Sequence, residues 1–408
     1  MSRRRALPRL GGMARRILVI GGGYAGLLFV NRLARKTRAG DVQIVLASAR
    51  PWFVERVRLH EDVAGHGPAR RALASLTDPR VGVRVGTVES VDLAAQRAAF
   101  ADGATEAFDE LVLATGSVRA PCSVPGIAHA RSCANEEEAL ALRAELGGLA
   151  RGARVVVVGG GLTGIELATE LGEQRGVLRV TLVTSGEVGL GVSARARQHV
   201  RATCARLGVE LREHARVVAV ERDGVVLASG DVLPSAITVL CGGLAATTLA
   251  GSLGLDVDAQ GRAVVDAQLR STSHAQVRVI GDAARVDPGG RGQPLRMACA
   301  TALPQGAYAA DAVAHAVAGR EVRPFSFAYF LQCLSLGRRD GLSQLVDPWD
   351  APRRLHLRGR LAAWNKELIC RYAASSPRLE RRGIGYAWPT APARLRTADA
   401  PLLATRDS

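Results

Sequence analysis

Three things are scarce in this chain of 408 residues. The first is an unbroken apolar run. Hydrophobic residues make up 48% of the chain, yet no stretch approaches the roughly 18 consecutive apolar residues that a spanning helix needs, which points to a soluble or peripheral protein. The second is lysine: of 54 basic residues only Lys36 and Lys366 are not arginine. The third is any paired cysteine. Cys122, Cys133, Cys204, Cys241, Cys299, Cys333 and Cys370 are odd in number and irregular in spacing, with no CxxC among them. That pattern indicates neither a disulfide framework nor a zinc site, and a reducing cytoplasm is the default compartment.

The formal charge of +16 fits a solvated basic surface, or attraction to anionic cofactors, substrates or lipid headgroups. Nucleic acid is a poor partner: the chain has no helix-turn-helix, zinc finger or basic strand studded with aromatics. Residues 1–13 are basic and turn-rich, and read as a disordered arm rather than a secretion signal, since the next apolar run is a strand.

Regular patterning begins at Arg15. Residues 16–20 (RILVI) read as a fully buried parallel strand. The turn Gly21-Gly22-Gly23-Tyr24-Ala25-Gly26 follows, then a helix to about Arg35, then a second strand over 41–46. Gly21 permits the tight turn, Gly23 lets the backbone approach a pyrophosphate, and Gly26 allows close helix–strand packing. The phosphates would sit on the free N–H groups of the helix N-terminus beside Tyr24 and Ala25. Residues 108–117 (FDELVLATGS) predict another buried strand, ending in Ala114-Thr115-Gly116.

The pattern then restarts. A helix with Glu136, Glu137 and Glu138 in its first turn leads to a strand at 154–158 (RVVVV). The turn Gly159-Gly160-Gly161-Leu162-Thr163-Gly164 opens a second helix carrying Glu166, and a strand at 179–183 follows. One more buried strand, near 277–284, ends in Gly281-Asp282. Gly159 follows Gly21 by 138 residues, and this duplication is the main organisational signal. It predicts an α/β protein with two Rossmann-like dinucleotide-binding domains, the second inserted into the first.

With both turns, the Ala114-Thr115-Gly116 motif and Gly281-Asp282 in view, the sequence resembles the two-dinucleotide-binding flavoprotein superfamily over roughly residues 14–340. The resemblance implies FAD at the first turn, NAD(P)H at the second, and contact between Asp282 and the ribityl chain. Expected boundaries are a first FAD-domain segment at 14–120, an NAD(P)H domain at 121–265, a second FAD segment at 266–325, a small C-terminal α+β region at 326–388 and a disordered tail at 389–408. No metal site is expected. One departure stands out. An acid commonly ends the second strand of each unit to hold a ribose hydroxyl, and here Ser48 and Thr184 occupy those places. They can still hydrogen-bond a ribose, but the choice between NADH and NADPH stays open, and Arg195 and Arg197 are within sequence reach of a 2′-phosphate.

Thiol-relay branches of the superfamily lack support, because residues 31–121 contain no cysteine. The motifs GGGLTGIELATEL at 159–171, GDAA at 281–284 and SLGRRDGLSQLV at 335–346 are similar to the type II NADH dehydrogenase family. That resemblance implies hydride transfer from NAD(P)H to flavin, then direct transfer to a quinone-like or other small acceptor. It also implies a role for Glu166 in proton supply or cofactor positioning; a carboxylate that only fixes its helix N-terminus is the other reading. Where the quinone branch places two glutamines four residues apart, this chain has Ala300 and Pro304, with Gln305 next door. A ferredoxin-feeding or tailoring reductase and a non-enzymatic redox sensor remain alternatives.

Two further segments carry expectations. Glu55, Arg56, Arg58 and His60 read chiefly as a solvated ion-pair network, with His60 structural. Leu357, Leu361, Trp364, Leu368 and Tyr372 form one helical stripe in a segment, 352–408, with 12 basic and 4 acidic residues. Docking of that stripe on the protein's own core or a dimer mate is the favoured reading; peripheral contact of 355–374 with an anionic membrane is the alternative.

Overall fold

The computed structural model describes residues 14–67, 70–174 and 176–391; the arm at 1–13 and residues 392–408 lie outside them. Two parallel sheets dominate. The first has five strands in the order Val277–Val279, Glu110–Leu113, Arg15–Ile20, Val42–Ser48 and Val81–Val85. Its central register pairs Ile17 with Ile44 and with Glu110. Every residue of Glu110–Leu113 and Val277–Val279 is buried, and the two charged ones, Glu110 and Arg278, pair with each other at 2.5 Å. The second sheet has four strands, Glu210–Arg212, Leu178–Val183, Ala153–Val158 and Ile237–Leu240. The strand Val277–Val279 joins the first sheet although it follows the whole second sheet in sequence. A short antiparallel ribbon between Ser117–Arg119 and Leu244–Ala246 ties the two units together.

Two helices, Glu136–Gly147 and Ala194–Leu207, start on a side-chain cap. Asn135 accepts a hydrogen bond from Glu138 N at 2.9 Å, starting the helix Glu136–Gly147. The helix Tyr24–Lys36 packs against the helix Cys299–Val317 so closely that a Cβ on Gly306 would lie 2.4 Å from the Ala25 carbonyl oxygen. The C-terminal region is an antiparallel sheet of Leu331–Ser335, Gly341–Val346 and Pro352–Arg358, followed by the helix Arg360–Arg381. Buried Glu380 fastens that helix to the first glycine-turn helix through Arg32 (3.2 Å) and Arg35 (2.6 Å).

Two expectations need correction. Residues 389–391, expected in the disordered tail, are held in place, the rest of that tail lying outside the described residues: Ala328 N donates to Pro389 O at 3.0 Å, and Ala391 is buried with its N–H on Ser326 Oγ at 3.2 Å. The apolar stripe does not dock on the core either. Leu361 is 66% and Trp364 65% exposed, while the buried face of the helix carries Ala362, Lys366, Cys370, Ala373 and Ala374. Small residues pack against the core here, so the large ones are left outside.

Candidate active site

Both glycine turns show the same construction. Gly21 has φ +120°, and a Cβ there would sit 2.2 Å from the Ala114 carbonyl oxygen; a Cβ on Gly26 would sit 2.0 Å from the carbonyl of Gly21. The second turn repeats this with Gly159 against Cys241 O (2.6 Å) and Gly164 against Gly159 O (1.9 Å). By contrast a Cβ on Gly23 or Gly161 would meet nothing within 4 Å. Neither following helix has a side-chain cap or an acid in its first turn. Each turn therefore presents uncapped N–H groups to open space, which is the donor set a pyrophosphate needs. The cradles fit two dinucleotides.

One cavity of about 1190 Å³ runs between the two units and the C-terminal region. It brings together Gly21, Gly23, Tyr24, Ala25, Ser48, Thr115, Gly116, Gly161, Thr163, Glu166, Gly281 and Asp282. Gly159 and Thr184 instead line a separate cavity of about 250 Å³, and Gly26 and Gly164 line neither, serving as contact points behind the turns. Asp282 accepts from Ser117 Oγ at 2.7 Å, and Thr115 Oγ1 accepts from Thr247 Oγ1 at 2.8 Å. Ser48 Oγ donates to Arg50 O at 2.8 Å. Of the arginines within sequence reach of a 2′-phosphate, Arg197 is committed to Glu187 at 3.0 Å.

Ala300 and Pro304 line the cavity, whereas Gln305 turns away from it. Its Oε1 accepts from Gly281 N at 2.8 Å, holding the turn before Asp282. The wall that the resemblance expects to carry amides is apolar.

Glu166 stands at the centre of a buried cluster that joins three parts of the chain. Its Oε1 takes the Lys366 ammonium from the C-terminal helix and Ser335 N at 3.1 Å; its Oε2 faces His60 Nδ1 at 3.7 Å. Ser335 Oγ accepts from Lys366 Nζ at 2.9 Å and meets His60 Nε2 at 3.3 Å. Burial alone would raise the Glu166 carboxyl, but the Lys366 ammonium, with the Ser335 N–H, outweighs it and holds it below its usual range. Burial opposes the Lys366 charge, and Glu166 overcomes that and raises it. Burial pushes His60 down to about 4, so it is neutral at pH 7. The site therefore stores an ammonium–carboxylate pair beside a neutral imidazole.

The segment 52–61 thus differs from its sequence reading. His60 is 3% exposed and faces Glu166, and Arg58 pairs with Glu55 (3.1 Å), Glu61 (2.9 Å) and Glu367 (2.9 Å). Sequence reasoning missed Lys366 and Ser335 as members of the site. A signal for Lys366 existed: in a chain that uses arginine nearly everywhere, a lone lysine supplies a cation that can release a proton. Among the described residues no cluster of ligating side chains could hold a metal ion.

The comparisons with known proteins fit this geometry. The family model described as pyridine nucleotide-disulphide oxidoreductase matches residues 15–306. The chain belongs to that family. It is an NAD(P)H-dependent flavin oxidoreductase with FAD and NAD(P)H as cofactors. It is 33% identical over 381 residues to an NADH dehydrogenase-like protein of Mycobacterium tuberculosis, covering 87% of this chain and 92% of the relative. It is 28% identical over 383 residues to the demethylphylloquinone reductase of Synechocystis, covering 86% and 94%. The sulfide:quinone oxidoreductase of Aquifex aeolicus shares the fold at a TM-score of 0.76 and 19% identity, covering 92% of this chain and 93% of that one.

Proposed function

We propose that this oxidoreductase reduces a quinone-class acceptor directly, without a thiol relay. One observation carries the reading: the buried Glu166–Lys366 pair lines the same cavity as both glycine turns and the apolar Ala300–Pro304 wall. Bound FAD supplies the redox chemistry, taking hydride from NAD(P)H and passing two electrons on. The chain's own residues do the rest. Gly23, Thr115, Gly116 and Asp282 hold FAD, with Ser48 on its ribose; Gly161, Thr163 and Thr184 hold NAD(P)H. A quinone needs two protons with its two electrons; one arrives with the hydride, and the Lys366 ammonium, paired with the Glu166 carboxylate, holds the other. Being named a reductase of demethylphylloquinone, the Synechocystis relative supports this class of acceptor.

The exposed stripe supports contact with a membrane, where such acceptors dissolve. Leu361, Trp364 and Leu368 face outward beside exposed Arg353, Arg354, Arg358 and Arg360, while Ile369 and Tyr372 of the same helix line the cavity. No helix among the described residues is long and apolar enough to cross a membrane.

The test is anaerobic. NADH and NADPH are each added to the FAD-loaded protein, and menadione or a ferredoxin is then supplied. Bleaching followed by rapid reoxidation with menadione is expected. Reoxidation by ferredoxin alone, or a long-lived reduced state with every acceptor, would overturn the reading.

A further inference from the structure

Cys133 and Cys241 lie 108 residues apart, so no sequence motif couples them, yet the fold sets them side by side. Arg131 bridges Val239 in parallel register; its N–H donates to Thr238 O and its carbonyl accepts from Leu240 N, both at 2.8 Å. Two residues further along each segment stand Cys133 and Cys241, on the same side by the two-residue alternation of extended chain. Neighbouring extended segments lie about 4.8 Å apart, inside the span of roughly 4.4–6.8 Å between Cα atoms that a disulfide bridges. The two thiols stand close enough to interact, and both cysteines line the large cavity. Both are free thiols.

Their position matters because Cys241 is the backstop of the second glycine turn. Its carbonyl oxygen lies 2.6 Å from where a Cβ of Gly159 would be, and its Cβ 3.4 Å from that of Gly164. Gly242 and Gly243 continue the cavity wall after it, and Asn135, the cap of the following helix, comes two residues after Cys133. Drawing the two sulfurs to bonding distance moves one wall of that turn against the other.

We propose that Cys133 and Cys241 are a modification site: a peroxide converts them to a reversible disulfide that hinders NAD(P)H at the second turn. This rests on the reading of that turn as the NAD(P)H site. Hydrogen peroxide oxidises one thiol to a sulfenic acid and releases water. The neighbouring sulfur then attacks the sulfenic sulfur, and the hydroxyl leaves as a second water with the attacking thiol's proton. Two S–H bonds and the peroxide O–O bond are lost, one S–S bond forms, and two waters appear. A dithiol reverses the bond by two exchange steps and becomes a cyclic disulfide. The thiol contact and burial hold Cys241 well above the usual thiol range, so its thiol is protonated at rest. The pair gates the cofactor and carries no electrons to the acceptor.

The experiment uses the full-length, FAD-loaded protein. It is exposed to hydrogen peroxide or diamide without NAD(P)H, desalted, alkylated and mapped by non-reducing mass spectrometry. A parallel portion is mixed anaerobically with NAD(P)H and flavin bleaching is timed. A Cys133–Cys241 crosslinked peptide is expected, with bleaching slowed about tenfold and restored by dithiothreitol. The Cys133→Ser variant, whatever its own rate, should bleach equally fast before and after oxidant. Absence of the crosslinked peptide with both oxidants overturns the proposal, and so does a crosslink that leaves the rate unchanged. Failure of the untreated protein to bleach would instead count against the NAD(P)H reading, while the peptide map still scores the cysteine pair.

Discussion

The two glycine-turn helices share a backbone and part ways in their charges. Counted from the first glycine of each turn, Leu28 occupies the place of Glu166, and Arg32 that of Glu170. In the first helix the inward position is apolar and fully buried, and Arg32 is satisfied on every side: Asp311 at 2.8 Å, Glu380 at 3.2 Å and the Tyr386 carbonyl at 2.9 Å. In the second helix both positions hold buried carboxylates. Glu166 has Lys366, but among the described residues neither Glu170 oxygen has a hydrogen-bond partner; the His66 imidazole stands at 3.4 Å and the Arg338 guanidinium at 3.8 Å. Burial pushes Glu170 up to about 8 despite Arg338. One helix uses charge to fasten elements together. The other keeps one carboxylate paired with Lys366 in the cavity wall and, one turn on, a carboxyl that burial holds protonated, a cost that proteins commonly carry at working sites.

The strongest way to separate the two helices is through their third glycines. Gly26→Ala should abolish FAD retention, read as loss of the yellow chromophore. Gly164→Ala should keep the chromophore and lose bleaching by NAD(P)H, since its Cβ would fall 1.9 Å from the Gly159 carbonyl in that turn alone. If both variants lose FAD, the two turns are not independent cofactor sites.

Next in size is Lys366→Met. Flavin reoxidation by menadione should slow on the order of 100-fold, the scale of one acid–base group. Without the ammonium, burial raises Glu166, so the limb of the pH–rate profile that Glu166 governs should move to higher pH. An unmoved profile would leave Glu166 a purely structural residue, like its counterpart Leu28.

Arg32→Ala should cost about 1–3 kcal/mol, because it removes buried charge-assisted hydrogen bonds while Glu380 keeps Arg35 and Asp311 keeps Lys36; thermal melting checks it. Glu170→Gln should do the reverse, in a pH-dependent way. The folded-state pKa of Glu170, about 8, lies above its unfolded value, so the native state holds the extra proton between the two. Wild-type stability from this group is complete below the unfolded pKa and is lost as pH rises through 8. The variant should therefore melt above wild type at pH 9 and show a smaller difference at pH 6. A difference constant with pH would mean Glu170 is not protonated in the fold.

The smallest effect on chemistry belongs to the outer stripe. Leu361→Glu with Trp364→Glu should leave bleaching unchanged and abolish sedimentation with anionic vesicles. Loss of dimer instead, seen by light scattering, would assign the stripe to a second copy.

What the sequence revealed follows from what is local in physics. Gly21 and Gly26 are legible because no side chain fits 2.2 Å or 2.0 Å from a carbonyl oxygen, and the first strands of the two sheets because burial on both faces writes an apolar run at 17–20 and 155–158. Of the partners of Glu166 only Lys366 left a trace, as one of two lysines in the chain, and the pairing itself was not legible. His60, Ser335 and Lys366 come from segments more than 100 residues away, and nothing in their own neighbourhoods marks them. The same holds for Cys133 and Cys241. The C-terminal stripe was legible as a stripe, but its direction depended on whether the core would take large side chains or the opposite face of Ala362, Cys370 and Ala374.

The position of Gln305 has a consequence for selectivity. With its amide spent on Gly281, the wall around Ala300 and Pro304 offers a visiting molecule methyl and ring carbons but no side-chain dipole at a fixed angle. Contacts of that kind scale with area and are indifferent to orientation. Among ligands that reach this wall, affinity should follow the octanol–water partition coefficient rather than the pattern of ring substituents. Inhibitors built around an amide-directed hydrogen bond should find no purchase there.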